Sequence, residues 1–291
     1  METVAVEGDR IVAYERWGDL GGQPMFSLHG TPGCRLNRHP DATLWPKLGL
    51  HVVTIDRPGY GESSALPGRQ VSHAAGDVAA VADSLGLGRF LVLGASGGGP
   101  HALACAAELG DRVLACAAVA SAAPLRPSEV EDLIGLNRES LRILAEHGRP
   151  GMVDFLGSLR DQFLADPLGA LEVRLADAPT ADIQWNQREE VRTVRREAIL
   201  EALRPGVQGW VDDAVSIFGN DWNVELGRVD CPVRIWHSDD DKNGPLTAIR
   251  RLVESVPRAT LTVWSGEGHS APARNMERVL VDLLDAARGA D

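Results

Sequence analysis

Apolar residues along the chain fall into short runs with strand-like spacing, separated by segments with helix-like spacing. Eight runs have the length and pattern of β-strands, at residues 4–6, 11–14, 24–28, 51–55, 90–93, 113–120, 233–236 and 259–264. Between strands, apolar residues recur on one helical face, as Val78, Val81 and Leu85 do, and Ser72 stands where it can cap that helix. This alternation predicts an α/β fold with a mostly parallel sheet flanked by helices.

The alternation stops between about residues 124 and 223, where apolar positions follow only the 3.6-residue helical period. The sequence therefore predicts an all-helical insert at residues 124–223, between two parts of one core domain at residues 1–123 and 224–291. Trp185, Trp210 and Trp222 are candidate walls of a substrate pocket in this insert. The arginine-rich stretch at residues 188–196 is predicted to be a solvated helix face, with an anion site as the less favoured alternative.

Composition narrows the classes of partner. Of the 291 residues 44% are hydrophobic, and the net charge of −12 argues against nucleic acid or an anionic membrane as a partner. The four cysteines show no metal-ligand spacing, and no metal or organic cofactor is predicted. No apolar run reaches membrane-spanning length and residues 1–8 lack the pattern of a signal peptide, so we expect a cytoplasmic protein.

The most informative motif is Gly94-Ala95-Ser96-Gly97-Gly98, between a strand-like run and a helix-like segment. It matches G-x-S-x-G, the nucleophile elbow, in which a serine occupies a tight strand-to-helix turn. Glycine-rich turns also bind phosphate or dinucleotides. However, the lysine of a phosphate loop is missing here, and Ser96 replaces the second glycine of the dinucleotide fingerprint. The motif therefore favours a catalytic serine.

Further reactive groups follow other predicted strands, and loops after parallel strands meet at one edge of a sheet. His269 follows the last strand and has a suitable pKa to act as the base for a serine hydroxyl, which is a weak nucleophile on its own. Three aspartates at residues 239–241 follow the preceding strand and supply a carboxylate that can orient the imidazole. The order serine, acid, histidine along the chain is the one expected for a nucleophile elbow.

The chain resembles the α/β-hydrolase family over nearly its whole length. The resemblance rests on these motifs together with His29-Gly30-Thr31-Pro32-Gly33, Asp56-Arg57-Pro58-Gly59-Tyr60-Gly61 and Gly268-His269. It implies the α/β-hydrolase fold, with an eight-stranded sheet and with the helical insert as a cap domain.

The same resemblance implies roles for individual residues. Ser96 corresponds to the nucleophile, His269 to the base and Asp241 to the acid, with Asp239 as the alternative acid. The backbone N–H groups of Thr31 and Gly97 correspond to the oxyanion hole. His29 and Asp56 are expected to support their own loops through hydrogen bonds.

These residues predict a serine hydrolase, most simply a carboxylesterase that cleaves a small-molecule acyl substrate through an acyl-enzyme. The His-Gly-Thr-Pro-Gly loop is also similar to that of proline iminopeptidases, which need cap carboxylates for a free amino group. The candidate carboxylates are Glu189, Glu190, Glu197 and Glu201. A further alternative is a member of the fold that acts without hydrolysis, as a lyase, an acyl-transfer or cyclisation enzyme, or a small-molecule receptor.

Overall fold

The computed structural model describes residues 1–219 and 222–289. Its strands are β1 (Glu2–Val6), β2 (Arg10–Gly18), β3 (Gln23–Leu28), β4 (Leu50–Ile55), β5 (Phe90–Ala95), β6 (Val113–Val119), β7 (Val233–Ser238) and β8 (Ala259–Trp264). They form one eight-stranded sheet in the order β1-β2-β4-β3-β5-β6-β7-β8. The β1–β2 and β2–β4 pairs are antiparallel and the remaining pairs are parallel. The predicted mostly parallel sheet is confirmed.

Helices cover both faces of this sheet, as predicted. The α-helices are α1 (Leu44–Lys47), α2 (His73–Ser84), α3 (Gly98–Glu108), α4 (Gly135–Ala165), α5 (Pro167–Arg174), α6 (Thr180–Gln187), α7 (Glu189–Leu203), α8 (Gln208–Phe218), α9 (Leu246–Glu254), α10 (Ala271–Arg274) and α11 (Met276–Arg288). Side chains alternate between the faces of a strand, so Phe90 and Val92 of β5 pack with α2, α3 and α9, whereas Leu91 and Leu93 pack with α1 and α11. Burial of two apolar faces explains why β5 reads as a continuous apolar run.

The start of α2 differs from the expectation in one detail. The helix begins directly after Ser72, but the Ser72 side chain accepts no capping hydrogen bond. Ser72 already has helical backbone angles, and a preceding turn supplies carbonyl acceptors: the amide of His73 donates to Gln70 O and that of Ala74 to Val71 O. Because backbone carbonyls satisfy these first amides, a serine cap is not needed.

Helices α4 to α8 lie between β6 and β7, within the predicted insert. Helix α4 is broken at Gly148, whose φ of 58° lies in the left-handed region that glycine tolerates. Around its second part, Met152 and Leu156 share an apolar cluster with Ala198 of α7 and Trp210 of α8. The domain boundaries themselves stay a prediction, and residues 220, 221, 290 and 291 of the predicted ranges lie outside the described residues.

Over residues 1–219 and 222–289, no helix combines the length and the apolar character that crossing a bilayer requires.

Candidate active site

Ser96 occupies the sharp turn between β5 and α3. Its φ of 53° is left-handed, which a residue with a side chain rarely adopts. The surrounding backbone holds this conformation, because the Ser96 amide donates to Val119 O at 3.0 Å and its carbonyl accepts from the amide of Gly99 at 3.0 Å. Strain of this kind is characteristic of a nucleophile elbow, in which the hydroxyl projects from the sheet edge.

The outer glycines of the motif allow the backbones to meet at this corner. A Cβ atom on Gly94 would lie 2.2 Å from the carbonyl oxygen of Gly98, and one on Gly98 would lie 2.2 Å from the carbonyl oxygen of Leu28. Neither backbone oxygen can move aside without disrupting β3 or α3. The G-x-S-x-G spacing is therefore a steric requirement of the turn.

The structure brings together the three side chains predicted as nucleophile, base and acid. The Ser96 hydroxyl donates to His269 Nε2 at 3.1 Å, and His269 Nδ1 donates to Asp241 Oδ2 at 2.8 Å. The Asp241 carboxylate is fully buried, and it also accepts the amide of Asn243 at 2.8 Å. The three groups form one continuous hydrogen-bonded line from the elbow to the loop after β7.

The charges in this line shift two pKa values. Burial disfavours the imidazolium form of His269, but the Asp241 charge and hydrogen bond outweigh that effect and raise the pKa of His269 above 6.5. Burial likewise opposes ionisation of Asp241, yet the interactions with His269 and His237 prevail and lower the pKa of this carboxyl group. Asp241 is therefore ionised at neutral pH and stabilises a positive charge on His269.

Asp239, the alternative acid, lies elsewhere. Its carboxylate accepts the hydroxyl of Ser265 at 2.7 Å and the amide of Gly266 at 2.8 Å. These bonds join the loops after β7 and β8, and they leave Asp239 out of hydrogen-bonding contact with His269. Of the two candidates, Asp241 alone has the geometry of the orienting acid.

The two predicted oxyanion donors are adjacent. A Cβ atom on Gly97 would lie 2.3 Å from Thr31 Oγ1, so the loop after β3 packs directly on the elbow. Neither the Thr31 nor the Gly97 amide donates a hydrogen bond to another described residue. Both residues border a cavity beside the Ser96 hydroxyl. Two free amides next to a serine at a helix N-terminus are the arrangement expected of an oxyanion hole.

His29 supports the same loop, as expected from the sequence. Its Nδ1 donates to Gly30 O at 2.7 Å, and its Nε2 accepts the amide of Arg57 at 3.2 Å. Burial and the Arg57 charge hold the pKa of His29 well below 6.5. Asp56 also supports its own loop, because its carboxylate accepts the amides of Arg35 at 2.6 Å and Glu62 at 2.9 Å.

Asp213 on α8 anchors the oxyanion loop from the side of the helical insert. Its buried carboxylate accepts the hydroxyl of Thr31 at 2.6 Å and that of Tyr60 at 2.9 Å. It also pairs with Arg57 and Arg69, each at 2.6 Å. Burial opposes ionisation, but the two guanidinium groups hold the pKa of Asp213 well below its usual range. Sequence reasoning missed this residue; the visible signal was an acidic pair, Asp212 and Asp213, inside an otherwise apolar helix.

Two cavities meet at Ser96 and His269. The larger has a volume of about 300 Å³ and is bordered by Trp185, and the smaller has about 50 Å³ and is bordered by Trp210. The prediction for Trp222 is wrong, because this residue lines neither of these cavities. Its indole donates to Ile217 O at 3.0 Å, and its ring packs in the core under the sheet.

A family model described as the alpha/beta hydrolase fold matches residues 23–273. The chain belongs to the alpha/beta hydrolase fold family. A bifunctional esterase/perhydrolase of Acinetobacter calcoaceticus is 26% identical to it over an alignment of 280 residues that covers 94% of each chain. A non-heme haloperoxidase of Rhodococcus erythropolis is 27% identical over 276 residues, again 94% of each chain. Among solved structures, a thermophilic esterase from Thermogutta terrifontis with malate bound matches with a TM-score of 0.68 and 22% identity, over 99% of this chain and 98% of that one.

In this hydrolase-fold protein, a second carboxylate positions the histidine loop. Asp182 of α6 is buried and accepts the amides of His269 at 2.7 Å and Ser270 at 2.8 Å. The loop after β8 is thereby tied to the helical insert directly behind the base. Nothing in the sequence marks Asp182 as different from other aspartates of the chain.

Two arginines of the insert line the larger cavity. Arg174 is the last residue of α5, and Arg195 lies within α7. The prediction of a solvated face at residues 188–196 is therefore wrong for Arg195, because that side chain turns toward the cavity. The four glutamates considered for an aminopeptidase border neither cavity.

Within residues 1–219 and 222–289, no group of three or more histidine, cysteine, aspartate or glutamate side chains is arranged to hold a metal ion.

Proposed function

We propose that this hydrolase-fold protein is a serine hydrolase that cleaves a carboxylic ester of a small molecule through an acyl-enzyme. The observation that carries the proposal is the continuous line from Ser96 through His269 to Asp241, with two unpaired amides beside the hydroxyl. The resemblance of the chain to a bifunctional esterase/perhydrolase supports the same class of reaction.

Each group has a distinct role in the proposed reaction. His269 accepts the Ser96 proton as the hydroxyl oxygen attacks the ester carbonyl, and Asp241 stabilises the imidazolium that results. The amides of Thr31 and Gly97 donate to the carbonyl oxygen as it becomes negative, an effect worth about 3 kcal/mol per donor in comparable sites. His269 then protonates the leaving alcohol, and in the second half of the reaction it deprotonates the water that releases the acid.

The aminopeptidase alternative is less compatible with the cavity. A free amino group is recognised by carboxylates, but the candidate glutamates lie outside both cavities and three arginines, Arg38, Arg174 and Arg195, line the larger one. Among the described residues, Asp182 is the carboxylate that borders this space, and it accepts the amides of His269 and Ser270. Ester cleavage is therefore the better reading of the site.

Hydrolysis of p-nitrophenyl acetate by purified protein tests the proposal. We expect Ser96→Ala to lower kcat/KM at least about 10⁴-fold, since neither neighbouring amide replaces the nucleophile. Ser158→Ala, at an exposed position on α4, is the matched control and should leave the rate unchanged. Turnover by Ser96→Ala at the wild-type rate, with an unchanged circular dichroism spectrum, would refute the proposal.

A further inference from the structure

Arg174 and Arg195 face the space in which a substrate of Ser96 would lie. Both border the larger cavity together with Ser96 and His269, and Arg174 borders the smaller cavity as well. Arg174 is close enough to His269 for its charge to oppose the rise in the imidazole pKa that Asp241 causes. Two cations from two different helices therefore converge on one cavity next to the candidate nucleophile.

Neither arginine has a partner within the described residues, since no hydrogen bond or ion pair involves Arg174 or Arg195. Other arginines of the insert differ: Arg192, on the same helix as Arg195, pairs with Glu172 at 2.5 Å, and Arg149 pairs with Asp212 at 2.6 Å. Arg196 also lacks a partner in the described part of the chain, but its side chain is exposed to solvent and borders neither cavity. Arg174 and Arg195 therefore combine a missing partner with a place in the cavity lining.

The arrangement is electrostatically unfavourable without a ligand. Burial lowers the pKa of Arg195 to about 10, and burial together with the Arg195 charge lowers that of Arg174 to about 10. The charge of Asp182 raises the pKa of Arg195 and so partly offsets burial. However, this carboxylate already accepts two backbone amides and lies 3.6 Å from Arg274. A bound anion would relieve the repulsion and satisfy two guanidinium groups whose planar forks match a carboxylate.

The other side chains that line the larger cavity limit the size and polarity of the molecule that carries the anionic group. Phe163, Leu171 and Val191 border the same cavity, whose volume is about 300 Å³. Apolar walls of this size suit a short hydrocarbon chain with a charge at one end, and they do not suit a polyanion such as nucleic acid.

We propose that Arg174 and Arg195 bind a carboxylate carried by the substrate, so that the preferred substrates are small esters with a free carboxylate at the end remote from the ester group. This inference rests on the ester hydrolysis proposed above and specifies its substrate class. The arginines act in binding and selectivity, while the chemistry stays with Ser96 and His269.

Matched esters test the selectivity of the wild-type enzyme. We would compare monoethyl succinate, glutarate, adipate and pimelate with the ethyl esters of the corresponding fatty acids and with the half-esters whose free acid is converted to a neutral amide. For at least one chain length, kcat/KM should favour the anionic ester at least about tenfold over both neutral analogues, as expected for a charge-assisted contact. Equal or lower kcat/KM for the anionic ester at every length would overturn the inference.

Substitutions locate the effect. Arg174→Met and Arg195→Met should each reduce the ratio of kcat/KM for anionic over neutral ester about tenfold, mainly through KM of the anionic ester. Arg196→Met, at the exposed neighbour of Arg195 on α7, is the matched control and should keep the wild-type ratio. A ratio within a single protein cancels any loss of folded enzyme. A ratio that Arg174→Met and Arg195→Met both leave unchanged would contradict the assignment.

A binding measurement separates this inference from the proposed reaction. Ser96→Ala should bind the preferred half-ester, measured by calorimetry, at least about tenfold more tightly than its neutral amide analogue, and Arg195→Met in the same background should remove the difference. Hydrolysis of neutral esters without an anionic preference would refute the carboxylate site and leave the proposed function standing. Selective binding without turnover of any ester would refute ester hydrolysis and support the carboxylate site.

Discussion

Two groups of arginines adjoin the site, and they differ in whether their charges are matched. Arg57 and Arg69 close around the buried Asp213, whereas Arg174 and Arg195 face a cavity and pair with no described residue. A matched buried cluster holds two parts of the chain in register, so it should affect all substrates alike. Cations that face a cavity without a partner can bind an anion there, so Arg174 and Arg195 should distinguish between anionic and neutral substrates.

The largest expected effect that is the same for all substrates is the loss of activity on substitution of Asp241, the candidate triad acid. Asp241→Asn should lower kcat/KM about 10³- to 10⁴-fold for anionic and neutral esters equally, because the imidazole loses both its orientation and the charge that stabilises it. Asp239→Asn is the control, since Asp239 contacts Ser265 and Gly266 and makes no contact with His269. The measurement is steady-state kcat/KM of both variants on one anionic ester and its neutral analogue. An equal loss in both variants would contradict the assignment of Asp241.

The Asp213 cluster gives the next largest effect. Asp213→Asn should lower the free energy of unfolding by about 3 kcal/mol, because two guanidinium groups would remain buried without a counter-charge. The Thr31 loop would lose its anchor as well, so kcat should fall for both kinds of ester without a change in their ratio. Urea denaturation measures the loss in free energy of unfolding, and Asp177→Asn, at an exposed position, is the control. If Asp213→Asn changed the preference for anionic over neutral esters without a loss of stability, the roles of the Asp213 cluster and of the two cavity arginines would not be distinct.

The smallest effect is in the pH dependence. His269 must be neutral to accept a proton, and its pKa is raised above 6.5. The rate therefore rises with pH, and the midpoint of the acid limb of kcat/KM for a neutral ester should lie above 6.5. In Asp241→Asn the midpoint should move to lower pH, because the raising charge is gone. A wild-type midpoint below 6.5 would mean that Asp241 does not control His269.

The sheet and its helices were predictable because each strand carries its own signal. Both faces of β5 are buried, so its sequence is continuously apolar, and its end is marked by glycines that steric contact at the turn requires. The catalytic candidates were predictable for a related reason. Ser96 follows β5 directly and His269 lies in the loop after β8, and the parallel sheet brings such positions to one edge.

The second layer of the site was not predictable, because it depends on how helices of the insert are rotated against the core. The heptad-like pattern of α7 does not distinguish Arg195, which faces the cavity, from Arg196, which is exposed. Trp222 was misassigned for a different reason, since a large aromatic residue fits a pocket wall and a core equally well. Asp213 needed knowledge of Thr31, which is 182 positions away in the sequence.

Intact-protein mass spectrometry after treatment with a fluorophosphonate tests the central claim most directly, because this reagent modifies serines that are activated as nucleophiles. The account predicts a single adduct that peptide mapping assigns to Ser96, that is absent in Ser96→Ala and that forms more slowly in Asp241→Asn. Folded wild-type protein that gains no adduct, or gains one at another residue, would contradict it.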